Sequence, residues 1–181
     1  MRAFVALPCP EPWIGPLMRA QAHLPGGRKV DADDLHLTLA FLDDQPEARL
    51  EALAEELDAR ALPSAPLAPL SFAPLGSGKP RAIVLDIEPN VTLTDLRDRV
   101  RGAARRAGIA LSRDRFRPHV TLVRYGPAAP ADTGRLPGLL ARLTTDGIAP
   151  QTATGVTLWS SVLTPAGPLY DVLASYPLRA A

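Results

Sequence analysis

The chain carries two near-copies of one short stretch, DDLHLTLAFL at residues 33–42 and FRPHVTLVRY at residues 116–125. In each, a histidine is followed two positions later by a threonine and then by a leucine: His36, Thr38 and Leu39, then His119, Thr121 and Leu122. Apolar and polar residues alternate through both stretches. That is the pattern of a half-buried strand, whose successive side chains point to opposite faces. Leu35, Leu37, Leu39 and Phe41 are then expected to face a core, and His36, Thr38 and Ala40 to face away from it. In the second copy Val120 and Leu122 face the core, and His119, Thr121 and Val123 face away. Each strand presents an imidazole and a hydroxyl side by side, roughly 6.5–7 Å apart along the chain. Ala40 keeps the next place on that face small enough for a ligand. One histidine on a strand usually packs or solvates a surface, but a repeated pairing with threonine calls for a functional reading. His23, the remaining histidine, sits in a helix tail without this setting.

Outward from the motifs, strands and helices alternate. RAFVALP at residues 2–8 reads as a strand ending at proline. EPWIGPLMRAQAHL at 11–24 reads as a short helix with Trp13, Leu17, Ala20 and Leu24 on one side. GGRKVDADD before the first motif is loop-like. QPEARLEALAEELDARAL at 45–62 is the clearest helix, with proline at its start and Leu50, Leu53, Leu57 and Ala61 at helical spacing. The proline-rich residues 63–80 suggest an edge strand with turns. RAIVLDIE at 81–88 is a strand. TLTDLRDRVRGAARRAG at 92–108 is a helix, with Thr92 or Thr94 as its N-cap and Gly108 as its stop. Its Arg97, Arg101 and Arg105 form a stripe expected to lie on a solvated outer face. A turn-rich loop with a short helix follows the second motif. TGVTLWSSVL and LYDVLASYPL then form a closing hairpin. Each half carries one His-X-Thr strand, so the expected fold is α+β, a single domain over 1–181 with two similar sheet-bearing lobes.

Composition narrows the function. The chain has 181 residues, 46% of them hydrophobic, and 20 basic against 19 acidic residues. That near-neutral balance argues against a bulk nucleic-acid packer or a membrane-surface protein. Lys29 and Lys79 are the only lysines, so arginine, a planar fork suited to phosphate, supplies nearly all positive charge. Cys9 is the only cysteine, which leaves no disulfide framework and no multi-cysteine zinc site. It lies between prolines without a partner base and reads as a small structural residue. A reducing, cytoplasmic setting fits. The opening apolar run is too short for a signal peptide, and no stretch approaches the ~20 apolar residues of a membrane span.

Two imidazoles and two hydroxyls suit concerted proton transfer. An unperturbed histidine titrates near ~6.5, so one ring can be neutral while the other is charged. One removes a proton from water and the other protonates a leaving oxygen. The threonines can donate hydrogen bonds to non-bridging oxygens, and arginine can add charge stabilisation. A phosphodiester attacked in line by water fits that set.

The two motifs together resemble the signature strands of the two-histidine phosphoesterase superfamily. More narrowly, the chain resembles the bacterial and archaeal RNA 2′,3′-cyclic phosphodiesterases, once described as RNA 2′-5′ ligases. MRAFVALP is similar to that family's opening strand, RAIVLDI after KPR to its middle strand, and GPLYDVLASYPL to its closing segment. The resemblance implies a bilobal fold, two pseudo-symmetric antiparallel-sheet lobes with outer helices flanking a central cleft, and hydrolysis of a 2′,3′-cyclic phosphate to a 2′-phosphomonoester without metal or cofactor. It implies His36 as general acid, His119 as general base, and Thr38 and Thr121 as phosphate ligands. Arg124 resembles a recurrent family arginine, although strict alternation puts it on the face opposite His119 unless a bulge intervenes. Tyr125 and Tyr170 are candidates to stack on a base, Arg115 and Arg117 to touch an RNA backbone, and Phe4 could stack as well but reads first as core. The chain departs from the family in RKVDADD, where a tryptophan is frequent, and at Asp43, where glycine is frequent.

The implied partner is an RNA with a 2′,3′-cyclic phosphate end or a small cyclic nucleotide, acted on by a monomer. Rival readings are a non-catalytic nucleotide-binding module, a metal hydrolase using Asp33 or Asp34 with the histidines, and a ligase running the reaction backwards.

Overall fold

The computed structural model describes residues 1–180. In chain order the elements are β1 (Arg2–Pro8), α1 (Glu11–Ala22), β2 (Arg28–Lys29), a 3-10 turn (Ala32–Asp34), β3 (His36–Asp44) and α2 (Glu47–Asp58). Then come β4 (Ala65–Leu67), β5 (Pro69–Leu75), β6 (Ala82–Ile87), α3 (Val91–Arg106), β7 (His119–Arg124), α4 (Leu136–Leu140), β8 (Gln151–Ala153), β9 (Gly155–Thr164) and β10 (Gly167–Pro177). The short β2 inside a stretch expected to be loop, and β8, are strands too brief to carry a readable alternation.

The α+β class holds, and the pairing is antiparallel throughout the main sheet, in the order β10-β9-β1-β3-β7-β6-β5 with β2 also on β7. The two motif strands are its central neighbours. They pair at one position, Leu37 with Val120, so both halves meet in one hydrogen-bonded path. Small β4 and β8 pair separately.

One face of the sheet is buried under the helices. Trp13 and Leu17 of α1, Leu50, Leu53 and Leu57 of α2, and Leu93, Leu96 and Val100 of α3 join Leu37, Leu85 and Val120 in one core. Burying each such side chain stabilises by about 1.5–3 kcal/mol before entropy is counted. Ala61 falls beyond the end of α2 and is exposed. The N-cap of α3 is Asn90 rather than either threonine. Its extended backbone lets the side-chain oxygen accept from Leu93 N at 2.8 Å, a cap worth about 1 kcal/mol. Gly108 does end the helix region, at φ +80°. The arginine stripe is not wholly a solvated face. Arg101 is buried and donates to the Ser112 carbonyl, while Arg97 donates to the Asp114 carbonyl at 3.0 Å and lies over the Phe116 ring. Both arginines thereby tie down the irregular segment that leads into His119.

Both motif strands break alternation at the same place. β3 pairs Thr38 with Ala6 and Ala40 with Val5, leaving Leu39 as an extra residue. β7 pairs Thr121 with Val84 and Val123 with Ile83, leaving Leu122 as an extra residue. Each is a β-bulge, which puts two neighbouring residues on one face. Ala40 and Val123, expected to face away, are therefore core residues with exposures of 2% and 0%. Phe41, expected in the core, is turned out and is 58% exposed. The same slip turns Arg124 onto the face that carries His119. A second irregularity at Leu42 precedes Asp43, which holds a left-handed φ of 56°. Aspartate tolerates that region better than most residues, which explains how it stands where glycine is frequent.

Candidate active site

The antiparallel register centred on Leu37 and Val120 sets His36 beside Thr121 and Thr38 beside His119. Each histidine thus neighbours the other strand's threonine, around a local two-fold through the Leu37–Val120 link. The bulges extend this symmetry: Phe41 and Arg124 occupy equivalent places. One half of the site receives an aromatic ring and the other a guanidinium.

The two imidazoles are held alike. His36 Nδ1 lies 2.6 Å from the Asp34 carbonyl, and His119 Nδ1 lies 2.6 Å from the Arg117 carbonyl. In both cases the acceptor is two residues back. A carbonyl oxygen only accepts, so each Nδ1 carries the proton and each neutral ring keeps its lone pair on Nε2. The ring nitrogen left free of these contacts is the same on both sides.

Their surroundings differ. His36 is 7% exposed and packed among aromatic rings: Phe4, Tyr170 and Trp159 lie 4.8, 5.7 and 5.9 Å from it, centroid to centroid. Burial, aided by the Arg124 and His119 charges, pushes its pKa down to about 4 against the pull of the Asp34 carbonyl. His119 is also lowered by burial, but the Arg117 carbonyl and the Asp86 carboxylate favour its cation. Asp86 pairs with His119 across β6 and β7 and binds Arg117 through two hydrogen bonds of 2.9 and 2.8 Å.

A stability effect follows from His36. Its pKa near 4 in the folded chain lies below the ~6.5 of an unfolded histidine, so folding resists its protonation. The stability supplied by the neutral ring is complete above pH ~6.5 and is lost as pH falls toward 4. On urea unfolding between pH 7 and 4.5, wild type is expected to lose about 2–3 kcal/mol more than His36→Gln. Equal losses would mean that His36 protonates freely in the fold.

A recess of ≈ 310 Å³ opens beside His36, with Phe4, Phe41, Arg124, Ser161 and Tyr170 among its walls. Phe4 is therefore a wall of the site rather than a residue of the main core, in keeping with the smaller cluster it forms with Ala6 and Trp159. Tyr170 is brought to the site. Tyr125 is not: it packs against the core and Gly27, and faces a separate recess with Lys79 and Arg81. Arg117 is engaged by Asp86 and acts on His119 through its own carbonyl. Cys9 has its thiol pKa pushed up to about 12 by burial and by Glu11, which leaves no thiolate for nucleophilic work. Among the described residues no group of three His, Cys, Asp or Glu side chains is gathered to hold a metal ion, and no helix is long and apolar enough to cross a membrane. Phe41 and Trp159 escape sequence reasoning. The apolar doublets Leu39–Ala40 and Leu122–Val123 are the available sign of the bulges that set Phe41 and Arg124.

A model of the 2′-5′ RNA ligase superfamily matches residues 9–161. An RNA 2′,3′-cyclic phosphodiesterase of Thermus thermophilus is 32% identical, over 99% of this chain and 91% of its own length. A protein of that name from Geobacillus stearothermophilus is 32% identical over 90% of this chain, and the match spans only 51% of that relative. Among solved structures, one from Thermus thermophilus superposes with a TM-score of 0.78 at 26% identity, covering 99% of both chains. LigT of E. coli, complexed with 3′-AMP, superposes at 0.75 and 26% identity, covering 98% of this chain and 97% of LigT.

Proposed function

The chain belongs to the 2′-5′ RNA ligase superfamily, and from that premise we propose that it hydrolyses RNA 2′,3′-cyclic phosphate ends to 2′-phosphomonoesters, using its two histidines and no metal. The observation that carries this reading is the matched pair of imidazoles, each with Nδ1 fixed on a backbone carbonyl and Nε2 left for chemistry. Relatives named for this activity support it.

In the proposed reaction His119 Nε2 takes a proton from water, and the water oxygen forms a bond to phosphorus. The bond from phosphorus to the 3′ oxygen breaks, and His36 Nε2 gives that oxygen its proton. The 2′ oxygen keeps the phosphate. Thr38, Thr121 and Arg124 stabilise the non-bridging oxygens as charge builds on them. Burial keeps His36 neutral in the free protein, so it needs a bound anion to become an acid. A phosphodiester between the rings supplies that negative charge and raises both histidine pKa values. Substrate binding and arming of the acid are then one event. Both histidines come from one chain, so a monomer suffices.

The test is a short RNA ending in a 2′,3′-cyclic phosphate, incubated with the protein in EDTA, with the product isomer identified. A 2′-phosphate is the expected product. Loss of turnover in EDTA would overturn the metal-free mechanism, a 3′-phosphate would reverse the leaving group, and no turnover with or without EDTA would leave a binding module.

A further inference from the structure

We propose that Arg28, set against Arg124, holds the phosphate one nucleotide upstream of the cyclic end, so that the site prefers an RNA strand to a mononucleotide. This rests on the function proposed above and specifies its substrate.

Arg28 of β2 pairs directly with Arg124 of β7, and residues opposite each other in a ladder share a face. The two guanidinium-bearing side chains therefore rise together on the side of the sheet that carries the histidines. They line one recess of ≈ 180 Å³ with Pro168 and Tyr170. Arg124, Pro168 and Tyr170 also wall the recess beside His36, so the two spaces adjoin. A strand of RNA that runs from one recess into the other carries its next phosphate past this pair.

Like charges directly opposite in a sheet destabilise it. Among the described residues neither Arg28 nor Arg124 forms a salt bridge. Asp31 and Asp34 line the same recess without forming a salt bridge to either arginine. The carboxylates offset part of this charge from within the recess, and a phosphate between the two guanidinium groups would satisfy them directly.

Arg28 is also braced. Its Nη2 donates to the Pro165 carbonyl at 3.1 Å, and its stem lies over Gly167. A Cβ at Gly167 would come within 2.9 Å of Arg28 Cδ, and the residue's φ of +125° is itself a glycine conformation. The turn between β9 and β10 thus leaves room for this side chain along the rim of the recess. In the adjoining recess Phe41, Leu163 and Tyr170 give an apolar wall on which the terminal base can lie. One recess suits a base and the other suits a backbone.

The test compares a nucleoside 2′,3′-cyclic phosphate with a dinucleotide ending in the same cyclic phosphate, for wild type, Arg28→Gln and Arg28→Lys. Wild type is expected to favour the dinucleotide about 10-fold or more in kcat/KM, with a preference that shrinks as salt rises. Arg28→Gln is expected to bring the ratio near one and to remove its salt dependence, and Arg28→Lys to keep part of it. Equal slowing of both substrates by Arg28→Gln, or no dinucleotide preference in wild type, would overturn the inference while leaving the proposed function in place. Failure of wild type to turn over either substrate would sink both.

Discussion

Replacing either His36 or His119 with alanine is expected to lower kcat on a cyclic-phosphate RNA by about 10²–10⁴-fold, the usual share of a positioned acid or base. The two losses should not add. In the proposed reaction, proton removal from water and proton delivery to the 3′ oxygen belong to one transition state, so the double variant should be about as slow as the worse single one. The two histidines should still be distinguishable by substrate. A substrate with a better leaving group at the 3′ position needs no acid, and it should restore most of the activity of the acid variant and little of the base variant. If His36 is the acid, the rescue appears in His36→Ala. Its appearance in His119→Ala would exchange the roles, and the Asp86 carboxylate beside His119 is the feature that would then explain the exchange. Near wild-type turnover in either alanine variant would end the paired-histidine mechanism. His36 is buried, so its variant needs an unfolding curve at pH 7 beside the rate.

Much of this site is legible in residue order because its information is local. A histidine and a threonine two apart on a strand share a face whatever surrounds them, and the motif strands, the closing hairpin and the helices α1–α3 follow from spacing alone. What is not legible depends on partners. The bulges at Leu39 and Leu122 exist only relative to the strands paired with them, so alternation continued past them puts Phe41, Ala40 and Val123 on the wrong faces. Arg101 reads as one member of a charged stripe, yet it is buried because the segment at Ser112 folds back over it and offers a carbonyl. Arg28 reads as loop, and its meaning comes from the strand it joins, far along the chain. Tyr125 is attractive by position next to Arg124, but after the bulge adjacent residues again diverge, and the tyrosine turns into the core side.

The second large effect is expected at Arg124. Arg124→Ala should lower kcat/KM on a cyclic phosphate by about 10²–10³-fold, the cost of removing a preorganised charge from the transferring phosphate. Arg124→Lys should recover only part, since an ammonium on a flexible stem cannot reproduce a planar fork. A purely structural role for Arg124 would also slow the enzyme, so the rate is not the deciding readout. Its charge lowers the pKa of both His36 and His119. Removing it must raise both, whichever histidine is acid or base, and the whole pH profile of kcat/KM should move to higher pH in Arg124→Ala and stay near wild type in Arg124→Lys. A profile that keeps its position in the alanine variant would place the guanidinium away from the imidazoles. The expected shift ties the bulge to the chemistry. Without the extra residue at Leu122 the arginine would lie among the core side chains of β7, and no choice of residue at position 124 could then reach the phosphate.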